Sequence, residues 1–238
     1  IWPTTSRPPL RLFMETYERL GHQGDIVSIH ISSLLSGAYE AACLAAEALP
    51  ELAIAVIDSR QLSMGLGWLV ISAARAAQEG WRLAEITRLV KDLIPRVRAV
   101  TALDSLEHVA RGGRIGKARV LLGTLLRVKP LVQVLDGEVL PIANVRTRRR
   151  ALCYLVEYTL AQGHLAEVSV LHANAPATAQ EVVELLATSI AASQADFPRK
   201  CILVCEAGAA ITTHLGLGAV GICCILAEPP SVPPKRGE

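Results

Sequence analysis

The sequence predicts an α/β protein of two domains, the first spanning residues 1–111 with a largely parallel sheet and the second, 112–227, an α+β unit with a mixed or antiparallel sheet. Three observations carry that expectation. Apolar strand-length runs alternate with helix-length periodic segments as far as Val97–Leu103, the pattern of a layered α/β sheet. The pattern changes after Arg111-Gly112-Gly113-Arg114, and Asp136-Gly137 then separates two apolar runs, which marks a tight hairpin and hence antiparallel pairing. Finally, 51% of the 238 residues are hydrophobic but only 4% are aromatic, so the core is built from Leu, Val, Ile and Ala.

The elements follow in order. Pro8-Pro9 opens a helix over 7–22 whose apolar positions are Leu12, Phe13, Tyr17 and Leu20. Asp25 to Ile31 reads as a buried strand. An alanine-rich helix from Gly37 to Leu49 ends at Pro50, and Ala53 to Ile57 forms a second strand closed by Asp58-Ser59. Helices over 66–77 and 83–94 stop near Gly80 and Pro95, and Val97 to Leu103 is a strand assigned to the first sheet. In the second half, strands at 128–135 and 139–143 form the hairpin. A helix (147–161), a strand (168–172), a helix (177–192) and strands at 201–206 and 219–225 follow. Residues 228–238 hold four prolines and two basic residues and are expected to be disordered.

Composition narrows the function classes. A net charge of +2 argues against a strongly electrostatic partner such as nucleic acid, although Arg146, Arg148, Arg149 and Arg150 form one dense run. Cysteines stand at 43, 153, 201, 205, 223 and 224. Several lie in apolar runs, and Cys201 and Cys205 lack a second metal-ligating pair, so buried free thiols in a reducing cytoplasm are expected, with no metal and no cofactor. No apolar run reaches the ~18 residues that span a bilayer, and no signal peptide is visible.

The most distinctive segment is Ile29-His30-Ile31-Ser32-Ser33-Leu34-Leu35-Ser36-Gly37-Ala38-Tyr39. An apolar strand delivers three hydroxyls and a glycine to the start of a helix, beyond the carboxyl end of the strand, where ligands of open α/β sheets sit. Backbone N–H groups and hydroxyls there suit a carboxylate or phosphate. Thr4-Thr5-Ser6-Arg7-Pro8 offers further hydroxyls ahead of a helix, as an ordinary cap also would. Asp58-Ser59 reads as a turn. Gly112-Gly113-Arg114 is a hinge or a phosphate contact, and no GxxxxGK[ST] loop is present. His214 lies in a glycine-rich stretch, Thr212 to Ala219, read as a loop before a strand, where glycines allow close approach to a ligand.

Taken in order, these motifs resemble the DegV family of bacterial fatty-acid-binding proteins. The resemblance runs from Thr5-Ser6-Arg7-Pro8 through Ser32-Ser33-Leu34-Leu35-Ser36-Gly37-Ala38-Tyr39 and Ile57-Asp58-Ser59 to Leu103-Asp104-Ser105-Leu106-Glu107-His108-Val109-Ala110-Arg111-Gly112-Gly113-Arg114-Ile115. It continues through Val128-Lys129-Pro130, Asp136-Gly137, Val145-Arg146 and His214-Leu215-Gly216-Leu217-Gly218-Ala219. It implies a long-chain fatty acid buried between two domains and presented, as the acyl-binding subunit of a fatty acid kinase, to a separate ATP-binding subunit that makes an acyl-phosphate. By the same resemblance Thr5 and Ser33 hold the carboxylate, Ser6, Ser32, Ser36 and Gly37 shape the binding turn, and Arg146 and His214 assist the phosphoryl transfer. The protein would have no activity alone, no membrane span beyond transient membrane contact, and no nucleic-acid partner. The family carries an N-terminal strand with a TDS-type motif ahead of its TSQP-type segment, so the first βα unit of the α/β/α domain is expected to be missing or not included in this sequence. Ala38 stands where the family has threonine, Pro9 where serine is common, and Leu215 and Leu217 replace polar and proline residues. Two other readings are a fatty acid carrier or lipid sensor without a phosphotransfer role, and a hydrolase pairing Ser33 or Ser36 with His214, for which no G-x-S-x-G elbow exists.

Overall fold

A computed structural model describes residues 2–114, 116–117, 128–194 and 202–228. Residues 2–9 run without regular secondary structure into α1 (Leu10–Gly21). Then come β1 (Ile26–His30), α2 (Ala38–Glu47), β2 (Ile54–Asp58), α3 (Ser63–Gln78) and α4 (Leu83–Leu93). A single 3₁₀ turn at Ile94–Arg96 leads into β3 (Val97–Ala102) and α5 (Glu107–Arg111). The hairpin β4 (Lys129–Leu135) and β5 (Glu138–Val145), α6 (Arg148–Leu160), β6 (Leu165–His172), α7 (Pro176–Ser193), β7 (Ile202–Glu206), α8 (Ala209–Leu215) and β8 (Val220–Leu226) complete the order.

Two sheets form. β1 and β2 pair in parallel, Ile26 opposite Ile54 through His30 opposite Asp58. The second sheet has six strands in the order β5-β4-β3-β8-β6-β7. Its neighbours are antiparallel except β6 and β7. The mixed second sheet was expected. The membership of β3 was not: it lies in the six-stranded sheet, antiparallel to both β4 and β8. The sheets therefore divide between β2 and β3, not after Arg111. The reason is burial on both faces. Ala99 belongs to one core cluster and Val100 and Ala102 to another, so the strand reads as a continuous apolar run that carries no record of its partners.

Amphipathic packing builds three layers around these sheets. On one face of β1 and β2, Ile26 meets Tyr17 of α1 and Ala42 and Ala45 of α2. Facing the other way, Val27, Ile29 and Ile57 pack with α3 and α4 in the main core. α3 is shared between the sheets, since the buried Trp68 indole donates to Ser169 Oγ at 3.1 Å and to the Cys223 carbonyl at 3.2 Å. Both polar acceptors keep a buried indole N–H satisfied. The far face of the six-stranded sheet is covered by α6 and α7, with Leu131, Leu155, Leu186 and Ile222 fully buried.

The hairpin turn appears as its sequence demands. Asp136 and Gly137 both have positive φ, 52° and 87°, the twist that lets two strands return on themselves. Cys43, Cys153, Cys205, Cys223 and Cys224 are free thiols, and burial pushes the Cys224 thiol up to about 12. Cys201 and the expected disordered tail beyond Glu228 lie outside the described residues. Among the described residues no helix is long and apolar enough to cross a membrane, and no group of three or more His, Cys, Asp or Glu is placed to hold a metal.

Candidate functional site

The cavity face of the six-stranded sheet is mostly apolar, with Ala99 and Thr101 from β3, Val132, Gln133 and Val134 from β4, and Val139 from β5. Over it close three polar-tipped segments. The loop after β1 contributes Ile31, Leu35 and Ser36, the unstructured residues 5–8 form one wall, and α8 supplies Ile211, His214 and Leu215. Together they enclose a cavity of about 280 Å³.

Its polar end is organised by His214. Thr5 Oγ1 and His214 Nε2 are 2.7 Å apart. His214 Nδ1 is buried without a hydrogen-bond partner. Burial, and secondarily the nearby Arg114 guanidinium, lower the imidazole's proton affinity, so the neutral ring is favoured. Arg114 also lines the cavity and donates to the Leu35 and Gly112 carbonyls at 3.3 and 2.8 Å. Ser36 accepts the Ala38 N–H at 3.3 Å, which leaves its own O–H to donate.

α5 and α8 fit through two reciprocal glycine contacts. A Cβ on Gly112, the C-cap of α5, would lie 2.2 Å from His214 Nδ1, and one on Gly216, the C-cap of α8, 2.7 Å from His108 Nδ1. Gly216 also has φ +79°, a left-handed conformation that glycine adopts without steric cost.

The expected site residues separate into two groups. Thr5, Ser6, Ser36 and His214 share the cavity. Ser32, Ser33, Gly37 and Arg146 do not line it. Ser32 is fully buried and donates to the Gly137 carbonyl at 2.9 Å, tying the serine loop to the hairpin turn of the other sheet. The Ser33 hydroxyl donates to Asp58 Oδ2 at 2.6 Å and its N–H to Oδ1 at 3.2 Å, so its O–H is already engaged by an acidic neighbour. The Gly37 carbonyl accepts from Arg7 at 3.3 Å. Arg146 is exposed just after β5. His214 sits in the last turn of a short helix, not in a loop. Seven residues leave too little periodicity to announce a helix. Among the described residues the side-chain partner of His214 is Thr5 and not a serine. The cavity adds Arg7 and Arg114, both already inside recognised motifs, and an apolar wall of Leu35, Leu62 and Val109 that no local pattern distinguishes from core.

The sequence model for uncharacterised proteins of the DegV family matches residues 1–227. A DegV domain-containing protein of Streptomyces coelicolor is 36% identical, covering 92% of this chain and 77% of its own. Among solved structures, a fatty-acid-binding DegV family protein from Thermus thermophilus superposes with a TM-score of 0.84 at 28% identity, covering 95% of this chain and 80% of its own. DegV of Bacillus subtilis, described as a fatty acid binding protein, gives 0.79 at 31% identity, covering 94% and 79%.

Proposed function

The chain belongs to the DegV family, and from that membership we propose that it binds a long-chain fatty acid and presents the carboxylate to an ATP-binding kinase subunit for conversion to an acyl-phosphate. The observation that carries the reading is the division of one cavity into an aliphatic body and a hydroxyl-and-imidazole end. Each buried methylene of an acyl chain contributes about 0.8 kcal/mol, so chain length supplies the affinity. Thr5, Ser6, Ser36 and His214 then orient the head group. Neutral hydroxyls hold a carboxylate without the tight ion pair that would blunt it as a nucleophile. In-line attack on a γ-phosphorus needs chiefly positioning and charge stabilisation. His214 and Arg114 stand at the polar end to stabilise the transferring charge, and Arg146, on the surface, is assigned to the partner-bound phosphate. That exposure also favours a second reading, a fatty acid carrier with no phosphotransfer role.

Native mass spectrometry of the protein purified from bacteria tests the binding half: a co-purifying mass of a long-chain fatty acid supports it, and a protein carrying a nucleotide instead counts against it. In a reconstituted kinase assay Arg146→Ala is expected to keep the lipid and lose acyl-phosphate formation. Full activity of that variant favours the carrier reading.

A further inference from the structure

Residues 5–8 wall one side of the cavity, yet among the described residues nothing in 2–8 joins the rest of the chain through a backbone–backbone hydrogen bond. Every residue from 2 to 9 except Thr5 is exposed. Side chains fasten this strap instead. Arg7 donates to the Gly37 carbonyl at 3.3 Å, Thr5 Oγ1 meets His214 Nε2 at 2.7 Å, and Trp2 lies on α5. The Trp2 ring is 4.8 Å from the His108 ring, and the Arg111 guanidinium carbon stands over it at 4.3 Å from the centroid. Both partners are themselves fixed. Arg111 pairs with Glu107, one turn earlier, at 2.6 Å, and His108 is backed by Gly216, where a Cβ would lie 2.7 Å from Nδ1. A segment tied down by few side-chain contacts opens at low cost in free energy. Among the contacts an exposed side chain can make, a cation over an indole face is a strong one.

We propose that the strap of residues 2–8 is the movable wall past which ligand enters and leaves, and that Trp2, seated on His108 and Arg111, is its latch. Trp2 is thus a positioning residue that holds Thr5 against His214. The identity of the ligand rests on the fatty-acid reading above, whereas the latch rests on the contacts alone. Trp2, His108 and Arg111 do not line the cavity, so the latch is equally strong with and without ligand. Weakening it raises the open fraction of the strap by one factor in both states. Entry and exit then speed up together, and affinity stays where it was. A residue that merely shaped the binding surface would change affinity instead.

Two measurements test it. The first needs no ligand: alkylation by iodoacetamide of Val132→Cys, a buried position on the cavity floor, followed by mass spectrometry of that peptide. Adding Trp2→Ala should speed this labelling about fivefold, the factor that corresponds to one lost cation–π contact. Trp2→Phe, which keeps a ring under the guanidinium, should label close to the Val132→Cys background. Trp81→Ala removes a tryptophan that is likewise exposed but does not line the cavity, and should leave the rate unchanged. The second is stopped-flow exchange of a fluorescent fatty acid with the same Trp2 variants in the native background. Association and dissociation should both quicken about fivefold in Trp2→Ala, with Kd constant. Circular dichroism confirms folding, and if Trp2→Ala does not fold, Arg111→Gln takes its place. Labelling that Trp2→Ala leaves unchanged, or that Trp81→Ala speeds equally, overturns the latch. So does a weaker Kd at an unchanged association rate. Faster labelling in a protein that binds no fatty acid upholds the latch and overturns the fatty-acid reading.

Discussion

His214 Nδ1 occupies the space that a side chain on Gly112 would fill, at 2.2 Å from an ideal Cβ. The imidazole at the polar end of the cavity is thus held in place by an absence, the missing side chain at the end of α5, and Thr5 steadies its other nitrogen.

Gly112→Ala is accordingly expected to push the ring or the helix aside. It should cost about 1–3 kcal/mol by overpacking and weaken fatty acid binding together with stability. Gly208→Ala is the control: nothing lies within 4 Å of its Cβ, its φ is −65°, and alanine there should be neutral or stabilising by up to about 1 kcal/mol. Urea unfolding of the two variants checks the contrast, and equal losses in both would refute the packing argument.

Thr5→Val removes the hydroxyl partner of His214 Nε2 and one donor to a bound carboxylate. A hydrogen bond to a charged group is worth about 1.5–3 kcal/mol, so fatty acid affinity should fall by about tenfold or more, with Thr5→Ser close to wild type. A titration in which both variants bind alike would show that the hydroxyl does not touch the head group.

Ser32→Ala and Ser33→Ala should differ although the residues are adjacent. Ser32 is fully buried and its loss strands the Gly137 carbonyl, a cost of about 1–3 kcal/mol. Ser33 is exposed, and replacing it should change stability by about 0.5 kcal/mol or little more. Chemical denaturation midpoints separate the two, and a larger loss for Ser33→Ala would reverse the assignment.

Stability should decline on mild acidification. Burial lowers the proton affinity of both His30 and His214 in the folded chain. The unfolded histidines, with pKa about 6.5, therefore bind protons first as pH falls. Their contribution is fully present above about pH 6.5 and is lost as pH drops through the folded-state values. Unfolding midpoints between about pH 7.5 and 5.5 check this. A midpoint that rises on acidification would contradict it, and His214→Gln should flatten part of the slope.

Much of this architecture was legible before any coordinates. β1, β2 and their helices announce themselves by period and by the prolines and glycines that bound them, and Asp136-Gly137 specifies its hairpin through its dihedral angles. What local pattern does not hold is partnership. β3 reads as a strand, yet its two neighbours are chosen by contacts far along the chain. α5 and α8, at five and seven residues, are stabilised by each other and not by their own sequence. The serine cluster was visible as a cluster, but only the fold shows Ser32 spent on a turn, Ser33 on Asp58 and Ser36 facing the cavity. Arg146 was prominent because it heads a basic run, whereas Arg114, on the cavity wall, stood in a Gly-Gly-Arg segment that reads equally as a hinge or a phosphate contact.

Thr5 and His214 are separated by 209 positions. Their contact joins almost the first described residues to almost the last β-strand, and closing so long a loop is entropically the costliest and slowest kind of contact to make. The head-group end of the cavity therefore depends on a contact that no local segment can form alone. Ligand bound at that end reports that two segments 209 positions apart are docked together, and the ligand in turn stabilises only that docked state.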